Sequence, residues 1–385
     1  MNNGNMLSTL TSGGTPGLSN NLFARITDEE NLGKAYRQSL KGGNKYSSEA
    51  ILFSLDETYN LNNLRQSLVD ETYEFSGYTR FKVYEPKERV VDAPHYKDKI
   101  VQLAINNVLK EIYQPCFIYD SYASLDNKGT HKCVDRIQHF MRKAKWEYGT
   151  DVYIVKIDIE KFFYTIDRAV LKKLLPKKVK CERTLRLLFK IIDSAEDISS
   201  LGLTLGNTLS QIDANIYMNK TDQYCKRVLS LKYYIRYMDD IIIIVENKKK
   251  AKVTMDMITE FLKSELNLVT NKSKTKIFPI NQGVNTMGFK IYPTHRLLRN
   301  SSKKKIKRKA RKMQRLIAEG GMTTEKAEQI LNSWKGHAEN GNSFSFIQRL
   351  LRRHEYIYLN GKGILKINTD KIYMDGEKHA LQKTG

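Results

Sequence analysis

The chain has 385 residues, with 65 Lys and Arg against 42 Asp and Glu and a formal net charge of +23. That length allows two or three subdomains around a sizeable core and excludes a large multi-enzyme assembly. So basic a surface attracts polyanions over long range and makes nucleic acid the leading partner, although ribosome-associated and membrane-surface proteins share the bias.

Residues 1–22 are dominated by Gly, Ser, Thr and Asn, show no apolar period and are expected to form a disordered arm. They lack the basic-then-apolar order of a secretion signal, and runs such as Ile241 to Val245 are too short to span a bilayer. Cys116, Cys133, Cys181 and Cys225 form no Cys-x-x-Cys pair, so neither a zinc knuckle nor a disulfide framework is indicated. The expectation is a soluble protein of a reducing cytoplasm with no membrane partner.

From Ile26 to about Glu74 the positions of Leu52, Leu55, Tyr59, Leu64 and Leu68 suit short helices. Phe75 to Val91 has the aromatic and β-branched content of strands, with Pro86 marking a turn. Ile100 to Tyr113 returns to helical spacing through Val101, Ala104 or Ile105, Val108 and Ile112, and Val152 to Ile159 reads as a buried strand. Ser210 to Leu229 reads as a helix, followed by two apolar strands around Met238-Asp239. His295 to Arg315 holds eleven Lys or Arg and no acid, while Ile306, Ala310, Met313 and Ile317 keep helical spacing. Two further helices are expected, one burying Ala327, Leu331 and Trp334, the other Phe344, Ile347 and Leu351. The fold class is α+β.

Tyr237-Met238-Asp239-Asp240 sets adjacent carboxylates at a turn between two strands, where they repel unless a cation lies between them. An ordinary Asp-Asp turn is the competing reading. About eighty residues earlier, Val155-Lys156-Ile157-Asp158-Ile159 is a second buried strand ending in a carboxylate. Three converging carboxylates can hold two metal ions about 3.5–4 Å apart, one activating a primer 3′-hydroxyl and the other stabilising pyrophosphate.

On these residues the chain resembles reverse transcriptases from about Leu32 to Leu351, which implies a right-hand polymerase with fingers and palm and a C-terminal helical thumb. The implied division is a 1–22 arm, 23–150 fingers with N-terminal helices, 151–292 palm, and 293–385 basic thumb and tail. Asp158, Asp239 and Asp240 become catalytic. The Ile159 carbonyl assists these carboxylates with two Mg²⁺ ions, for which Mn²⁺ would be the substitute. Phe163 falls where the family puts a steric gate favouring deoxynucleotides, against the alternative of an ordinary core Phe. Lys82 and Arg89, flanking Glu85-Pro86-Lys87-Glu88, are expected to come to one side of a hairpin and hold the triphosphate of the incoming dNTP. Lys274 would lie near pyrophosphate, and Met287-Gly288-Phe289 would form the primer grip. Lys303, Lys304, Lys307, Arg308 and Arg311 would grip the phosphates of a template RNA and of the cDNA/RNA duplex.

Leu205-Gly206-Asn207-Thr208-Leu209-Ser210-Gln211 departs from the broad family pattern Gln-Gly-x-x-x-Ser-Pro and is similar to the form in diversity-generating retroelements. Asp120-Ser121-Tyr122-Ala123, Lys128-Gly129-Thr130-His131 and Trp334-Lys335-Gly336-His337 fit the same bacterial branch. That resemblance implies copying of a template RNA with errors opposite adenine for mutagenic retrohoming, in a bacterial host. It also implies a small, basic, oligomeric accessory protein. Leu205 and Gln211 would then border the nucleotide, with Leu205 offering only apolar packing where relatives have a hydrogen-bonding Gln. A retron or antiviral-defence reverse transcriptase, or a catalytically silent RNA-binding scaffold, are the alternatives.

Overall fold

The computed structural model describes residues 21–84, 88–194 and 201–372. The expected disordered arm lies almost wholly outside these residues, as do the Glu85-Pro86-Lys87 turn and the end of the C-terminal tail. Helices α1 (Leu22–Ile26), α2 (Glu29–Ser39), α3 (Ser48–Leu55) and α4 (Glu57–Val69) lead into a hairpin of β1 (Tyr78–Val83) and β2 (Arg89–Pro94). Asp28, Ser47 and Asp56 each accept a backbone N–H at a helix start, which supplies the caps that free helix ends require. The apolar face expected of α3 and α4 is only half realised: Leu64 and Leu68 are buried, while Leu52, Leu55 and Tyr59 face outward.

Helices α5 (Tyr96–Tyr113) and α6 (Thr130–Tyr148) precede β3 (Tyr153–Ile157), and α7 (Phe162–Thr165), α8 (Arg168–Leu174) and α9 (Glu182–Asp193) follow it. Next come α10 (Ser210–Gln223), β4 (Tyr233–Tyr237), β5 (Asp240–Val245), α11 (Lys248–Leu266) and β6 (Lys276–Pro279). The four strands form an antiparallel sheet in the order β4-β5-β3-β6. Alternation along the strands divides the interior in two. Val155, Ile157, Tyr234, Ile241, Ile243 and Val245 join the core built with α1, α2, α5 and α8 to α11. Ile154, Tyr233, Ile235, Ile242 and Ile244 join a second core.

That second core continues through α6 into a three-stranded sheet of β7 (Val284–Thr286), β8 (Phe289–Ile291) and β9 (Arg296–Leu298). It extends on to α12 (Asn300–Ala318), α13 (Thr324–Ala338) and α14 (Phe344–Arg353), with β10 (Ile357–Leu359) and β11 (Leu365–Ile367) closing the C-terminal region. In α12 the four expected positions, Ile306, Ala310, Met313 and Ile317, are buried. In α14 Ile347 is buried as expected and Leu351 packs half-buried on the same core, while Phe344 lies outside and Phe346 and Leu350 complete the inner face. Among the described residues no helix is long and apolar enough to cross a membrane, and all four cysteines are free thiols.

Candidate active site

The site begins with sheet register. Ile157 lies opposite Ile241 and Tyr237 opposite Asp240, so Asp158, one residue past the end of β3, comes beside the Met238-Asp239 turn. Met238 has φ +55°, a left-handed conformation uncommon away from glycine, and the chain must be held there by its surroundings.

Arg236 does the holding. Its guanidinium is fully buried and donates from Nη1 to the Met238 carbonyl at 3.0 Å and to Asn215 Oδ1 at 3.1 Å. Nε and Nη2 bind Asp222 at 2.8 and 2.7 Å, and Nη2 also reaches the Ser121 hydroxyl at 3.1 Å. Tyr234 donates its hydroxyl to the same Asp222 at 2.6 Å, and Asn215 donates to the Ala123 carbonyl at 3.0 Å. Every strong hydrogen-bonding group of this buried ion pair is thereby used, which is the condition for tolerating two charges out of water. The Asp120-Ser121-Tyr122-Ala123 stretch acts here as a bracket: Arg236 N–H donates to the Asp120 carbonyl and Tyr122 N–H to the Arg236 carbonyl, both at 3.0 Å.

Asp158 is wrapped by the loop before β6. Asn271 N–H donates to its carbonyl at 2.7 Å, its own N–H donates to Thr275 Oγ1 at 3.3 Å, and Lys274 Nζ lies 2.7 and 3.0 Å from its two carboxylate oxygens. Asp240 is held differently. Thr286 donates its hydroxyl to Oδ2 at 3.1 Å, and Lys156 Nζ stands 3.1 Å from Oδ1. Between them, Asp239 forms no ion pair among the described residues. Burial first, then the negative charges of Asp240 and Asp158, push its carboxyl up to about 6, against a smaller pull from Lys274.

The donors present are hard oxygens, and Asp240 and Asp158 stand close enough to add to the effect of burial on Asp239; a group of clustered carboxylate oxygens fits a hard divalent cation such as Mg²⁺. Among the described residues no three His, Cys, Asp or Glu side chains converge closely enough to cage an ion, and Lys274 is the cation that pairs with Asp158. Ile159 is buried, bridged to Thr270 beside this loop.

Around the carboxylates, the Leu205-to-Gln211 stretch has a mechanical logic. Gly206 has φ +112°, and a Cβ there would stand 2.6 Å from the Asp92 carbonyl, so only glycine lets the loop lie against β2. Asp92 N–H donates to the Leu205 carbonyl at 2.7 Å. Asn207 accepts from Leu209 N–H, Thr208 donates its hydroxyl to Gln102, and Ser210 donates its own to the Thr204 carbonyl. Gln211 is exposed at the start of α10, and Leu205 is half-buried. Leu203 N–H donates to the Phe163 carbonyl at 2.7 Å, joining this loop to α7, where Phe163 is half-buried against the first core.

One expectation is corrected by register. Lys82 pairs with Val90 and Arg89 with Val83, so Lys82 and Arg89 project from opposite faces of the β1–β2 hairpin. Lys82 instead pairs with Glu88 at 3.0 Å, on the face it shares with Arg80.

The Met287-Gly288 turn joins β7 to β8 with φ of +48° and +86°, two positive values that suit a tight hairpin. A Cβ on Gly288 would meet His337 Nε2 at 2.7 Å, and the rings of Phe289 and His337 are 4.5 Å apart, so α13 sits directly on this turn. Of the basic residues on α12, Lys303 and Lys307 lean over the Phe346 ring, while Lys304, Arg308 and Arg311 are exposed. Tyr84 near the hairpin tip and Arg308, Lys309 and Lys312 of α12 line one cavity of about 490 Å³.

Arg236, its partners Asp222 and Asn215, Lys156, Thr286 and Thr275 were given no role from sequence, and Ser121 entered only within a motif. The signal for two of them was present: Lys156 and Arg236 are cations inside otherwise apolar strands, and a cation so placed needs a buried partner.

The chain matches the reverse transcriptase (RNA-dependent DNA polymerase) family over residues 82–291, more than half of its length, and belongs to that family. It is 25% identical to protein YkfC of Escherichia coli over 329 residues, 73% of this chain and 84% of that protein. It is 24% identical over 324 residues to the COX1/OXI3 intron 2 protein of Saccharomyces cerevisiae, 67% of this chain and 37% of that protein. The group II intron-encoded protein LtrA of Lactococcus lactis is 27% identical over 207 residues, 51% of this chain. The chain spans only 37% and 33% of the lengths of these two intron proteins. Among solved structures, telomerase from Candida albicans aligns at 13% identity and TM-score 0.42, over 63% of this chain and 50% of that one. Telomerase from Candida tropicalis aligns at 15% and 0.45, over 61% and 52%.

Proposed function

We propose that the chain is a metal-dependent polymerase that copies an RNA template into cDNA, with Asp158 and Asp239 as the metal ligands. The observation that carries this reading is the register that sets Asp158 beside the Met238-Asp239 turn in a chain of the reverse transcriptase family. When bound, two Mg²⁺ ions would activate the primer 3′-hydroxyl and neutralise the leaving pyrophosphate. Asp158 and Asp239 would hold them, with the Ile159 carbonyl assisting. Asp240, neutralised by Lys156 and tied to Thr286, would shape the field rather than supply a main ligand. Lys274 would leave Asp158 for the pyrophosphate side, and Phe163 would exclude a ribose 2′-hydroxyl.

In this reading residues 23–150 are fingers, 151–292 palm, and 293–385 thumb and tail. Arg89, on the hairpin, meets the triphosphate, and the exposed Lys304, Arg308 and Arg311 track duplex phosphates. Met287, Gly288 and Phe289 contact the primer end.

The Leu205-to-Gln211 sequence favours the diversity-generating form, with errors opposite adenine, mutagenic retrohoming and a small basic accessory protein. Its half-buried Leu205 hydrogen-bonds β2 through its backbone alone, which leaves an apolar side chain where a polar restraint would otherwise sit. The test is Mg²⁺-dependent cDNA synthesis from an adenine-containing RNA, with Asp239→Ala/Asp240→Ala as control and the products sequenced. Errors concentrated opposite adenine, reduced by Leu205→Gln, support the whole reading. Accurate cDNA assigns the chain to another mobile element, a direction in which the intron-encoded relatives point. No metal-dependent product, with candidate partners added, would leave an RNA-binding scaffold.

A further inference from the structure

Helix α6 packs one face into the second core through Cys133, Val134, Ile137, Phe140, Met141 and Ala144. Its outer face near the C-terminal end carries His139, Arg142, Lys143 and Trp146, spaced three and four residues apart and therefore neighbours on one surface. Trp146 is 88% exposed, the most exposed large hydrophobic side chain among the described residues. Among those residues neither Arg142 nor Lys143 forms an ion pair; Lys143 acts only electrostatically on Glu147, which Lys232 already holds, and Arg136, one turn earlier, is paired with Asp120. The local field is correspondingly positive: burial first, then Lys143, Arg136 and Arg142, hold His139 below its ordinary proton affinity.

This face is far from the carboxylates. The N-terminal end of α6 touches the catalytic hairpin, where Thr130 Oγ1 meets the Tyr237 hydroxyl at 3.1 Å. Its C-terminal end touches the opposite end of β4, where Glu147 accepts from Lys232 and from Tyr233. Sixteen residues of helix between Thr130 and Trp146 span roughly 24 Å at about 1.5 Å per residue.

We propose that His139, Arg142, Lys143 and Trp146 form a second nucleic-acid contact for a single-stranded segment of RNA outside the polymerase cleft. Exposed cations attract the phosphates, and an exposed indole ring offers a stacking surface to any unpaired base, which a base-paired stem cannot use. Arg and Trp occur at protein interfaces too, but lysine is depleted there, so Lys143 in a cluster with no apolar neighbour beside the indole favours phosphate and base over a protein partner. The inference rests on the reading of the chain as an RNA-copying enzyme, but its geometry is independent of the carboxylates.

The experiment uses the full chain with its cleft filled by a short template-primer duplex, and titrates in fluorescein-labelled oligo(U), reading anisotropy and tryptophan emission. Wild type is expected to bind oligo(U) with quenching of Trp146. Arg142→Glu/Lys143→Glu should bind about tenfold more weakly with a shallower salt dependence, and Trp146→Ala about fivefold more weakly without that quenching. All are expected to melt alike and to extend the short duplex at the same rate, while the variants add fewer nucleotides per encounter on a long RNA. Equal oligo(U) binding by wild type and both variants would overturn the proposal, as would variants that keep oligo(U) and lose an acidic protein partner. Failure of every form to extend the duplex would instead strike the polymerase reading, with the anisotropy comparison still deciding this one.

Discussion

Arg236 and Asp222, both without solvent exposure, are joined by three hydrogen bonds of 2.7 to 3.0 Å, and the same guanidinium holds the carbonyl of Met238. The pair therefore couples α10 to the turn that presents Asp239. Removing one member leaves the other charged, buried and unmatched, at a cost of about 3–5 kcal/mol. Arg236→Met and Asp222→Asn are each expected to lose stability on that scale in urea unfolding. Arg236→Lys keeps the charge but cannot reach Asp222, Asn215, Ser121 and Met238 together. It is expected to fold, to need more Mg²⁺ for half-maximal cDNA synthesis, and to lose maximal rate; an unchanged Mg²⁺ requirement would show that the turn is held by its flanking strands alone.

Asp239 is expected to trade stability for function. Its folded-state proton affinity is raised from the ordinary 3.8 to about 6, so the folded protein holds a proton that the unfolded chain has already released. Stability from this group is complete below about pH 4 and is lost as pH rises through about 6. Asp239→Asn should therefore be more stable than wild type at neutral pH, with the difference shrinking towards pH 4, while cDNA synthesis disappears. Mg²⁺ should narrow the gap by stabilising wild type alone. Wild-type activity should fall as pH drops through about 6, and the midpoint should move lower with added Mg²⁺, since proton and cation compete for one carboxylate. Thermal melts of both proteins across pH, with and without Mg²⁺, check each point.

Much of this centre was legible in the chain, and the reason is that its parts announce themselves locally. Ile241 to Val245 is apolar enough to be a buried strand, so an acidic pair before it had to be a hairpin tip. The helical spacing of Ile306, Ala310, Met313 and Ile317 fixed the inner face of α12 for the same reason. What sequence did not disclose depended on distant pairing. Thr286 and Asp240 meet only because β7 returns beside the catalytic hairpin. Lys82 and Arg89 were assigned to one side from their proximity, but a pairing offset by one residue sends them to opposite faces. The exposed Leu52, Leu55 and Tyr59 show the converse failure, in which spacing suited to a helix did not determine what, if anything, would cover it.

Lys274 bridges both oxygens of Asp158. A cation that binds there must displace an ammonium group already in place, so Lys274→Ala should lower the Mg²⁺ concentration that half-stabilises the protein in thermal melts without nucleotide. If Lys274 then serves the pyrophosphate, the same variant should polymerise more slowly even at saturating Mg²⁺. Tighter cation binding with undiminished rate would make the lysine a place-holder only.

Gly206 tests whether the loop bearing Leu205 positions the nucleotide. An alanine Cβ would stand 2.6 Å from the Asp92 carbonyl and 3.0 Å from Val91 Cγ1, at a φ of +112° that L-residues rarely adopt. Strain of this kind costs on the order of 1–3 kcal/mol if the backbone stays in place. Relief would come by lifting the loop from β2, which breaks the bond from Asp92 N–H to the Leu205 carbonyl. The carboxylates are held by Arg236, Lys156 and the loop before β6, and the partners of Arg236 on α10, Asn215 and Asp222, lie more than a helical turn beyond the loop. Gly206→Ala is therefore expected to raise KM for dNTP about tenfold or more while maximal rate falls much less, in steady-state extension of a short template-primer duplex. A matched fall in kcat with KM unchanged would place the loop's influence on the chemical step and remove Leu205 from nucleotide selection.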